Sequence, residues 1–188
     1  MAQEIEIEYK ALLTKEQFDR LATALPFPAA ASTQTNYYFE TKQFDLKKQN
    51  SALRIRKKDN AYALTLKQPH TEGILETHDS LSEKEFLSWM NGKPFSAFHV
   101  GNKLEKMGIN ANSLLYYGLL TTERRSFKSD HIEYVLDESK YNGTIDYELE
   151  IEAPSKEIGE AAFEQLLAQF NIEPKEPITK IERFFNTL

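Results

Sequence analysis

The amino-acid pattern between positions 4 and 10 alternates strictly between charged and apolar residues. The charged positions are Glu4, Glu6, Glu8 and Lys10. Ile5, Ile7 and Tyr9 stand between them, and this period of two residues is typical of a β-strand with one ionic and one apolar face. We therefore predict a strand over Glu4–Lys10 on which the three glutamates and the lysine point the same way.

A second acidic alternation lies in the segment Tyr147–Glu152, where Glu148, Glu150 and Glu152 occupy every second position. Three carboxylates on one strand face repel one another. Such a strand gains from the arrangement only if a metal ion or a protein cation lies opposite. An ordinary sheet whose polar face lies in water is the alternative interpretation.

Two neighbouring segments show the same alternation with basic residues. In the segment 51–58, Leu53 and Ile55 face one side and Arg54, Arg56 and Lys58 face the other, and the turn at Asp59-Asn60 leads to a strand that ends in Lys67. We predict a hairpin with its cations on one face. Isolated surface charges are the simpler interpretation, but an arginine pair beside a lysine also makes a good phosphate clamp, because guanidinium binds two phosphate oxygens at once.

The remaining periodicity predicts helices between further strands. A capping box at Thr14 and Gln17 opens a helix that Pro26 stops, and a second box opens at Ser82. The predicted strands are Gln34–Thr41, Gly73–Ser80, Leu114–Lys128 and His131–Asp137. The other predictions are a polar connection over 45–50, a helical region over 82–107 that breaks near Gly92-Lys93-Pro94, a helix over 156–170, and a last turn or two over 178–185.

Composition narrows the class of protein. The chain has 188 residues, 40% of them hydrophobic, and it has no cysteine, which excludes disulfides and thiolate metal sites. We expect no membrane segment and no signal peptide, since no apolar run approaches the roughly 20 residues needed to cross a bilayer. The net charge of −6 offers no general field for nucleic acid, and we expect a cytoplasmic protein.

The predicted elements fit together in an unusual way. Several amphipathic helices need an apolar surface to cover, and the strands offer one apolar and one ionic face each. If the helices lie on the apolar faces, the ionic faces must turn toward each other. A closed antiparallel sheet with a hydrated, ionic interior meets this demand. Its cations suit a condensed phosphate, and its grouped carboxylates suit a hard divalent ion.

These residues resemble the CYTH superfamily, also called the triphosphate tunnel metalloenzymes, over residues 4 to about 184. Glu6-Ile7-Glu8-Tyr9-Lys10 is similar to the ExExK motif of that superfamily. Other blocks follow in the same order: Tyr37-Tyr38-Phe39, Leu53-Arg54-Ile55-Arg56, Leu64-Thr65-Leu66-Lys67, an arginine strand, an apolar strand ending in Asp137, Gly143 before Glu148-Leu149-Glu150, and Lys180. ExExK alone is a weak motif, but chance does not readily explain six blocks in the same order.

The resemblance implies an α+β fold with a closed eight-stranded antiparallel β tunnel, a polar interior and helices on the outside, as a single domain over residues 1–188. It implies Mg²⁺ or Mn²⁺ as cofactor. The implied phosphate contacts are Lys10, Arg54, Arg56, Lys67, Arg124 and Lys180. The implied metal carboxylates are Glu6, Glu8, Asp137, Glu148 and Glu150, with Glu4 and Glu152 as second choices. Arg124 is preferred to Arg125 because it stands three residues before Phe127.

The implied activity is metal-dependent hydrolysis of inorganic triphosphate or of a nucleoside or organic triphosphate. Glu6 and Glu8 would serve this reaction together with Lys10 and Lys67, either of which could be a base only if neighbouring cations lowered its pKa. Activity like that of class IV adenylyl cyclases or thiamine triphosphatases, and non-enzymatic binding of polyphosphate or nucleotide, remain alternatives. The four histidines are interpreted as surface or loop residues: His70, His78, His99 and His131.

Overall fold

The computed structural model describes residues 2–94, 98–174 and 178–188. Its strands are β1 (Gln3–Glu6), β2 (Glu8–Leu13), β3 (Ser32–Thr41), β4 (Ala52–Lys58), β5 (Ala61–Pro69), β6 (Ile74–Leu81), β7 (Leu114–Ser129), β8 (Ile132–Tyr141) and β9 (Thr144–Glu152). Its helices are α1 (Lys15–Ala24), α2 (Asp45–Lys48), α3 (Glu83–Met90), α4 (Phe98–Lys106), α5 (Lys156–Gln169) and α6 (Lys180–Phe185).

These strands form one sheet in the order β1-β6-β5-β4-β3-β7-β8-β9-β2. The chain divides into two compact units. The first unit contains the residues up to Ile5 and Gln34–Leu120, and the second contains Glu6–Thr33 and Thr121–Leu188. The chain passes from one unit to the other within β1, within β3 and within β7, and each unit has its own core.

The core of the first unit lies between the apolar face of its strands and two helices. Leu53 and Ile55 of β4 and Leu64 of β5 are each followed by a polar residue, and each is fully buried. Trp89 of α3 and Leu104 of α4 belong to the same hydrophobic cluster. The charged residues between these apolar positions therefore lie on the opposite face of the strands.

The second unit repeats this arrangement with different helices. Leu149 and Ile151 of β9 are fully buried in a cluster with Phe18 and Leu21 of α1 and Leu166 of α5. The helices thus cover the apolar strand face, and the acidic alternation of β9 lies on the other side. In both units the predicted division into an apolar, helix-covered face and an ionic face is confirmed.

The helix starts follow the local sequence closely. Both predicted capping boxes are present, with Thr14 bonded to Gln17 and Ser82 bonded to Glu85. A third box, at Thr179 and Glu182, opens α6. Each box satisfies backbone N–H groups that have no partner inside the helix, so these short helices have defined first turns.

The first predicted strand is wrong in its length. It is divided at Ile7 into β1, which neighbours β6, and β2, which pairs with β9. Alternation continues through Ile7, but the residues up to Ile5 belong to the first unit and β2 belongs to the second, and Ile5 is 47% exposed. The sheet therefore has nine strands among the described residues instead of the eight expected, while the predicted α+β class with antiparallel strands is confirmed.

The polar connection predicted over 45–50 is also wrong, because its first part forms α2. Glu40 explains this helix: its buried carboxylate accepts hydrogen bonds from the backbone N–H groups of Leu46 at 3.0 Å and Lys47 at 2.9 Å. The helical region predicted over 82–107 is present as α3 and α4, and its residues 95–97 lie outside the described part of the chain. No helix in the described ranges has the length and apolar character to cross a membrane.

Candidate functional site

Four strands of the second unit place charged side chains side by side on one face. Lys10 of β2 lies opposite Glu150 of β9, and Glu148 lies opposite Asp137 of β8. Asp137 in turn lies opposite Arg124 of β7. Residues opposite each other in antiparallel strands share a face, so segments far apart in the sequence form one ionic surface here.

Arg124 is the centre of this surface. Its Nε and Nη2 atoms donate to the two carboxylate oxygens of Asp137 at 2.8 and 2.7 Å, and Nη2 also reaches Glu150 at 2.6 Å. Arg125 lies on the other face, with its guanidinium 5.9 Å from the ring of Phe18. The structure therefore places Arg124, as predicted, and not Arg125 among the carboxylates.

Helix α6 adds two further cations from the other end of the chain. The Lys180 Nζ atom lies 2.5 Å from Asp137, 3.2 Å from Glu150 and 3.5 Å from Glu148. Burial alone lowers the pKa of Lys180, but the facing carboxylates, Asp137 first, outweigh burial and raise it. Arg183, which the sequence pattern did not single out, contacts Glu148 at 2.5 Å.

Lys10 lies on the same surface, with its Nζ atom 2.6 Å from Glu8. Burial lowers the pKa of Lys10, but Glu150, Glu8 and Glu148 outweigh this and raise the pKa above its ordinary value. A general base needs the opposite shift. Lys10 therefore lacks the lowered pKa that it would need to act as a base.

The carboxylates of this surface are not equally compensated. Burial raises the pKa of Glu150, but Lys180 and Arg124 outweigh burial and hold it well below its usual range. For Glu152, burial together with the nearby charge of Glu6 raises the pKa to about 7. Negative charge is therefore in excess at the Glu152 end of the surface, where a bound cation would be stabilised.

The first unit holds a second ionic cluster on the polar face of β4, β5 and β6. The carboxylate of Glu76 is 2.5 Å from Lys67 and 3.7 Å from Arg54. Burial raises the pKa of Glu76, but Lys67 and Arg54 outweigh it and lower the pKa to about 2. Glu76 was not predicted as a site residue. Its carboxylate holds Lys67 and Arg54, two of the predicted phosphate contacts.

His78 corrects the interpretation of the histidines as surface or loop residues. It lies within β6, where its Nδ1 atom is 3.0 Å from the Thr65 hydroxyl and its Nε2 atom is 3.1 Å from Glu4 and 3.3 Å from Glu76. Ligand atoms of Glu4, Glu76 and His78 all lie within 4.8 Å of one another, which is close enough to hold a metal ion. Within this group, Glu76 also forms an ion pair with Lys67 at 2.5 Å.

The predicted site residues are divided between the two units. The second unit contains Glu6, Glu8, Lys10, Arg124, Asp137, Glu148, Glu150 and Lys180, and the first contains Arg54, Arg56 and Lys67. Arg56 donates to the buried side chain of Asn36 at 3.0 Å. Glu76 and Arg183 were missed, although each stands at a spacing that shares a face with another polar side chain: two residues from His78 on a strand and three from Lys180 on a helix.

Comparison with known proteins shows similarity over nearly the whole chain. The family described as CYTH domain matches residues 4–185 of this chain. The chain belongs to the CYTH domain family. A Bacillus subtilis (strain 168) protein, provisionally named triphosphatase YjbK, is 43% identical over 186 residues, covering 98% of this chain and 96% of that protein.

Two solved structures match this chain over nearly its whole length. A Bacillus halodurans protein, provisionally described as an adenylate cyclase, is 40% identical and has a TM-score of 0.94 over 98% of this chain and 100% of that one. A Hippeastrum protein, provisionally called an adenylyl cyclase and reported to have a dominant triphosphatase activity, has a TM-score of 0.81 at 23% identity, covering 97% and 96% of the two chains. These matches confirm the predicted CYTH fold.

Proposed function

We propose that this CYTH protein hydrolyses a phosphoanhydride bond of a linear triphosphate with the help of Mg²⁺ or Mn²⁺. The observation that carries the proposal is the set of mostly buried cations Lys10, Arg124 and Lys180, each held against carboxylates on one strand face. The name of the 43% identical Bacillus subtilis relative supports a triphosphatase. We further propose that residues 1–188 act as one domain in the cytoplasm.

The cations would bind the substrate. Lys10, Lys180 and Arg124 have raised pKa values, because their facing carboxylates outweigh burial, and they are therefore charged at neutral pH. Phosphate oxygens can replace or join the carboxylates as partners of these groups, since both are anionic acceptors. We assign the same role to Arg54, Arg56 and Lys67 of the first unit.

The carboxylates of the second unit fit a divalent cation. They offer only oxygen donors, which Mg²⁺ and Mn²⁺ prefer, and the raised pKa of Glu152 beside Glu6 marks excess negative charge. We propose Glu6, Glu8, Asp137, Glu148 and Glu150 as the residues that hold the ion or orient its waters. When bound, the ion would supply charge stabilisation to the phosphate oxygens.

The chain's own residues would orient the substrate and take up its charge. Arg124 and Lys180 are fixed by Asp137, so their donors keep their positions before substrate arrives, and such preorganisation favours reaction over mere binding. Since Lys10 stays protonated, we propose that it stabilises negative charge and that a carboxylate of this surface accepts the proton of the attacking water.

Adenylate cyclase activity is the second candidate, because the 40% identical Bacillus halodurans protein carries that description. The two activities begin from the same triphosphate but give different products: a hydrolase releases orthophosphate, whereas a cyclase releases pyrophosphate and a cyclic nucleotide. A thiamine triphosphatase would show a strong preference for that organic triphosphate. A binding protein would give no product from any of them.

The test is a product analysis of tripolyphosphate, ATP and thiamine triphosphate after incubation with the protein and Mg²⁺ or Mn²⁺. Orthophosphate is measured by malachite green and cyclic AMP by chromatography, with a chelator as the control. We expect ion-dependent orthophosphate release and no cyclic AMP. Cyclic AMP with pyrophosphate would make the protein a cyclase, and calorimetric binding without any product would make it a binder.

A further inference from the structure

Arg183 joins helix α6 to the acidic strand β9. Its Nη2 atom donates to Glu148 Oε2 at 2.5 Å, its Nε atom donates to Asp146 Oδ2 at 2.7 Å, and its Nη1 atom donates to the backbone carbonyl of Ile178 at 2.6 Å. The side chain is 9% exposed. All three guanidinium nitrogens are therefore in use, and a planar fork with this reach is a property of arginine that lysine lacks.

One effect of these bonds concerns Glu148. Arg183 occupies the Oε2 atom, whereas Oε1 is buried and has no hydrogen-bond partner among the described residues. The nearest cation recorded at Oε1 is Lys180 Nζ, at 3.5 Å. Because Arg183 binds Oε2, Oε1 is the Glu148 oxygen that remains available on the side of Lys180.

A second effect concerns Lys180 itself. Lys180 and Arg183 are three residues apart on α6, so they lie on the same face of the helix. A helix of six residues is too short to be stable alone. It is held by its own capping box and by the bonds of Arg183, and its position fixes where Lys180 meets Asp137.

Asp146 is held from a second side as well. The Tyr141 hydroxyl of β8 donates to the Oδ2 atom of Asp146, the same oxygen that accepts from Arg183. The chain of contacts therefore runs from the strand pair β8 and β9 through Asp146 and Arg183 to Glu148. A network of this kind restrains the guanidinium more firmly than one contact would.

We propose that Arg183 is a positioning residue of the triphosphate site: it orients Glu148 and fixes Lys180, and it contacts neither substrate nor ion itself. This inference rests on the proposed function for the identity of the ligand. Helix α6 thus has one cation that binds the ligand, Lys180, and one that sets the geometry of the site, Arg183.

The experiment compares the parent with Arg183→Lys, Arg183→Met and a control, Arg20→Met. Arg20 is an exposed arginine of the same unit that donates to the backbone carbonyl of Phe170, away from the acidic surface. Each protein is measured for its affinity for tripolyphosphate by calorimetry in a chelator, and for kcat, KM and the Mn²⁺ concentration at half activity. Thermal unfolding gives the folded fraction.

Both Arg183 variants are expected to bind tripolyphosphate more weakly and to need more Mn²⁺, each by roughly 10-fold or more, as is typical when a residue that orients a ligand group is lost. The lysine variant should not restore the parent values, because it keeps the charge without the fork. Arg20→Met should leave affinity, KM and the Mn²⁺ requirement unchanged.

A merely structural role gives a different result. Loss of folded protein lowers the apparent kcat in proportion to the folded fraction, and leaves KM, tripolyphosphate affinity and the Mn²⁺ requirement as in the parent. That result, or full rescue by lysine, would overturn the inference. If the parent binds tripolyphosphate without hydrolysing it, the proposed function fails alone, because the calorimetric comparison still tests Arg183. Absence of binding by the parent would overturn both.

Discussion

Arg124 donates to both carboxylate oxygens of Asp137, at 2.8 and 2.7 Å. Asp137 is fully buried, and Arg124 is mostly buried. Neither charge is stable in such a place alone, because an unpaired buried ion loses its hydration without compensation. The pair therefore compensates both charges on the ionic face of β7 and β8 and sets the position of the donor that we assign to phosphate.

Replacing Arg124 tests this pair. Arg124→Met leaves the buried carboxylate of Asp137 without its bidentate partner, and we expect a loss of about 3 kcal/mol in the free energy of unfolding. Urea denaturation measures this change. The matched control is Arg125→Met, which removes only a cation–π contact with Phe18 and should cost less than about 1 kcal/mol. Equal losses in the two variants would contradict the assignment of Arg124 to the ionic face.

The raised pKa of Glu152 predicts a dependence of stability on pH. Burial and Glu6 raise this pKa from 4.5 to about 7, so the folded state binds more protons than the unfolded state between these values. Stability attributable to this group therefore falls as pH rises from 4.5 to 7. Glu152→Gln cannot ionise, and without divalent ions it should exceed the parent by about 1–2 kcal/mol at pH 8, with no difference at pH 4.

Thermal unfolding at both pH values measures this effect, with exposed Glu164 of α5 as the control position for a Glu→Gln change. Glu164→Gln should follow the parent at each pH. Added Mn²⁺ should raise the stability of the parent more than that of Glu152→Gln, since the ion offsets the same excess charge. A variant that is less stable than the parent at pH 8 would contradict the excess of negative charge at this end of the surface.

Gly159 of α5 predicts an exception to helix propensity. Alanine normally stabilises a helix relative to glycine, but a Cβ at position 159 would lie 2.6 Å from the Tyr9 ring and 3.0 Å from Ala153. Gly159→Ala should therefore destabilise the protein by about 1–3 kcal/mol. Gly101 of α4 has nothing within 4 Å of such a Cβ, and Gly101→Ala should instead stabilise by about 0.5–1 kcal/mol. Two changes of the same sign in urea denaturation would exclude the close packing of Tyr9 on α5.

Replacing Glu76 should lower the stability of the protein and increase the stabilisation that a bound ligand gives. Glu76→Gln removes the carboxylate charge between Lys67 and Arg54, and we expect a loss of about 2–3 kcal/mol near neutral pH. The pKa of Glu76 is lowered to about 2, so this loss should be full above pH 4.5 and shrink as pH falls toward 2. Saturating tripolyphosphate should raise the melting temperature of the variant more than that of the parent.

The control for this comparison is Glu72→Gln, a change at an exposed loop position that should shift neither value. The reason for the larger ligand effect is that phosphate oxygens can take the place of the lost carboxylate beside the two cations. If tripolyphosphate stabilises Glu76→Gln no more than the parent, Lys67 and Arg54 are not phosphate contacts.

Local patterns allowed much of the fold to be predicted from the sequence. Capping boxes at Thr14 and Ser82 need only neighbouring residues, and alternation on β4 and β9 follows from the two-residue period of a strand. The division at Ile7 escaped prediction, because alternation continues across it while the pairing partner changes. Helix α2 escaped for a related reason: the carboxylate that caps it, Glu40, comes from the preceding strand.

Site residues could be predicted where a motif or a strand face identified them. They could not be predicted where their role depends on which strands and helices pair. Alternation could not choose between Arg124 and Arg125, and only the family resemblance did. Glu76 and Arg183 depend on which strand or helix packs beside which, and a single sequence does not contain that pairing. Each contacts predicted residues of its own unit and compensates their charge, so the missed residues are those that hold the predicted ones in place.

The affinity of tripolyphosphate for the parent and for Lys180→Gln, measured by calorimetry in a chelator that prevents turnover, tests the central claim most directly. The claim is that cations held by carboxylates on the second unit's ionic face bind the triphosphate. Removing one charge-assisted contact should weaken binding by about 2 kcal/mol, roughly 30-fold in Kd, whereas Lys140→Gln, at an exposed lysine paired with Glu138, should leave Kd unchanged. An unaltered Kd in Lys180→Gln, or no binding to the parent, would contradict it.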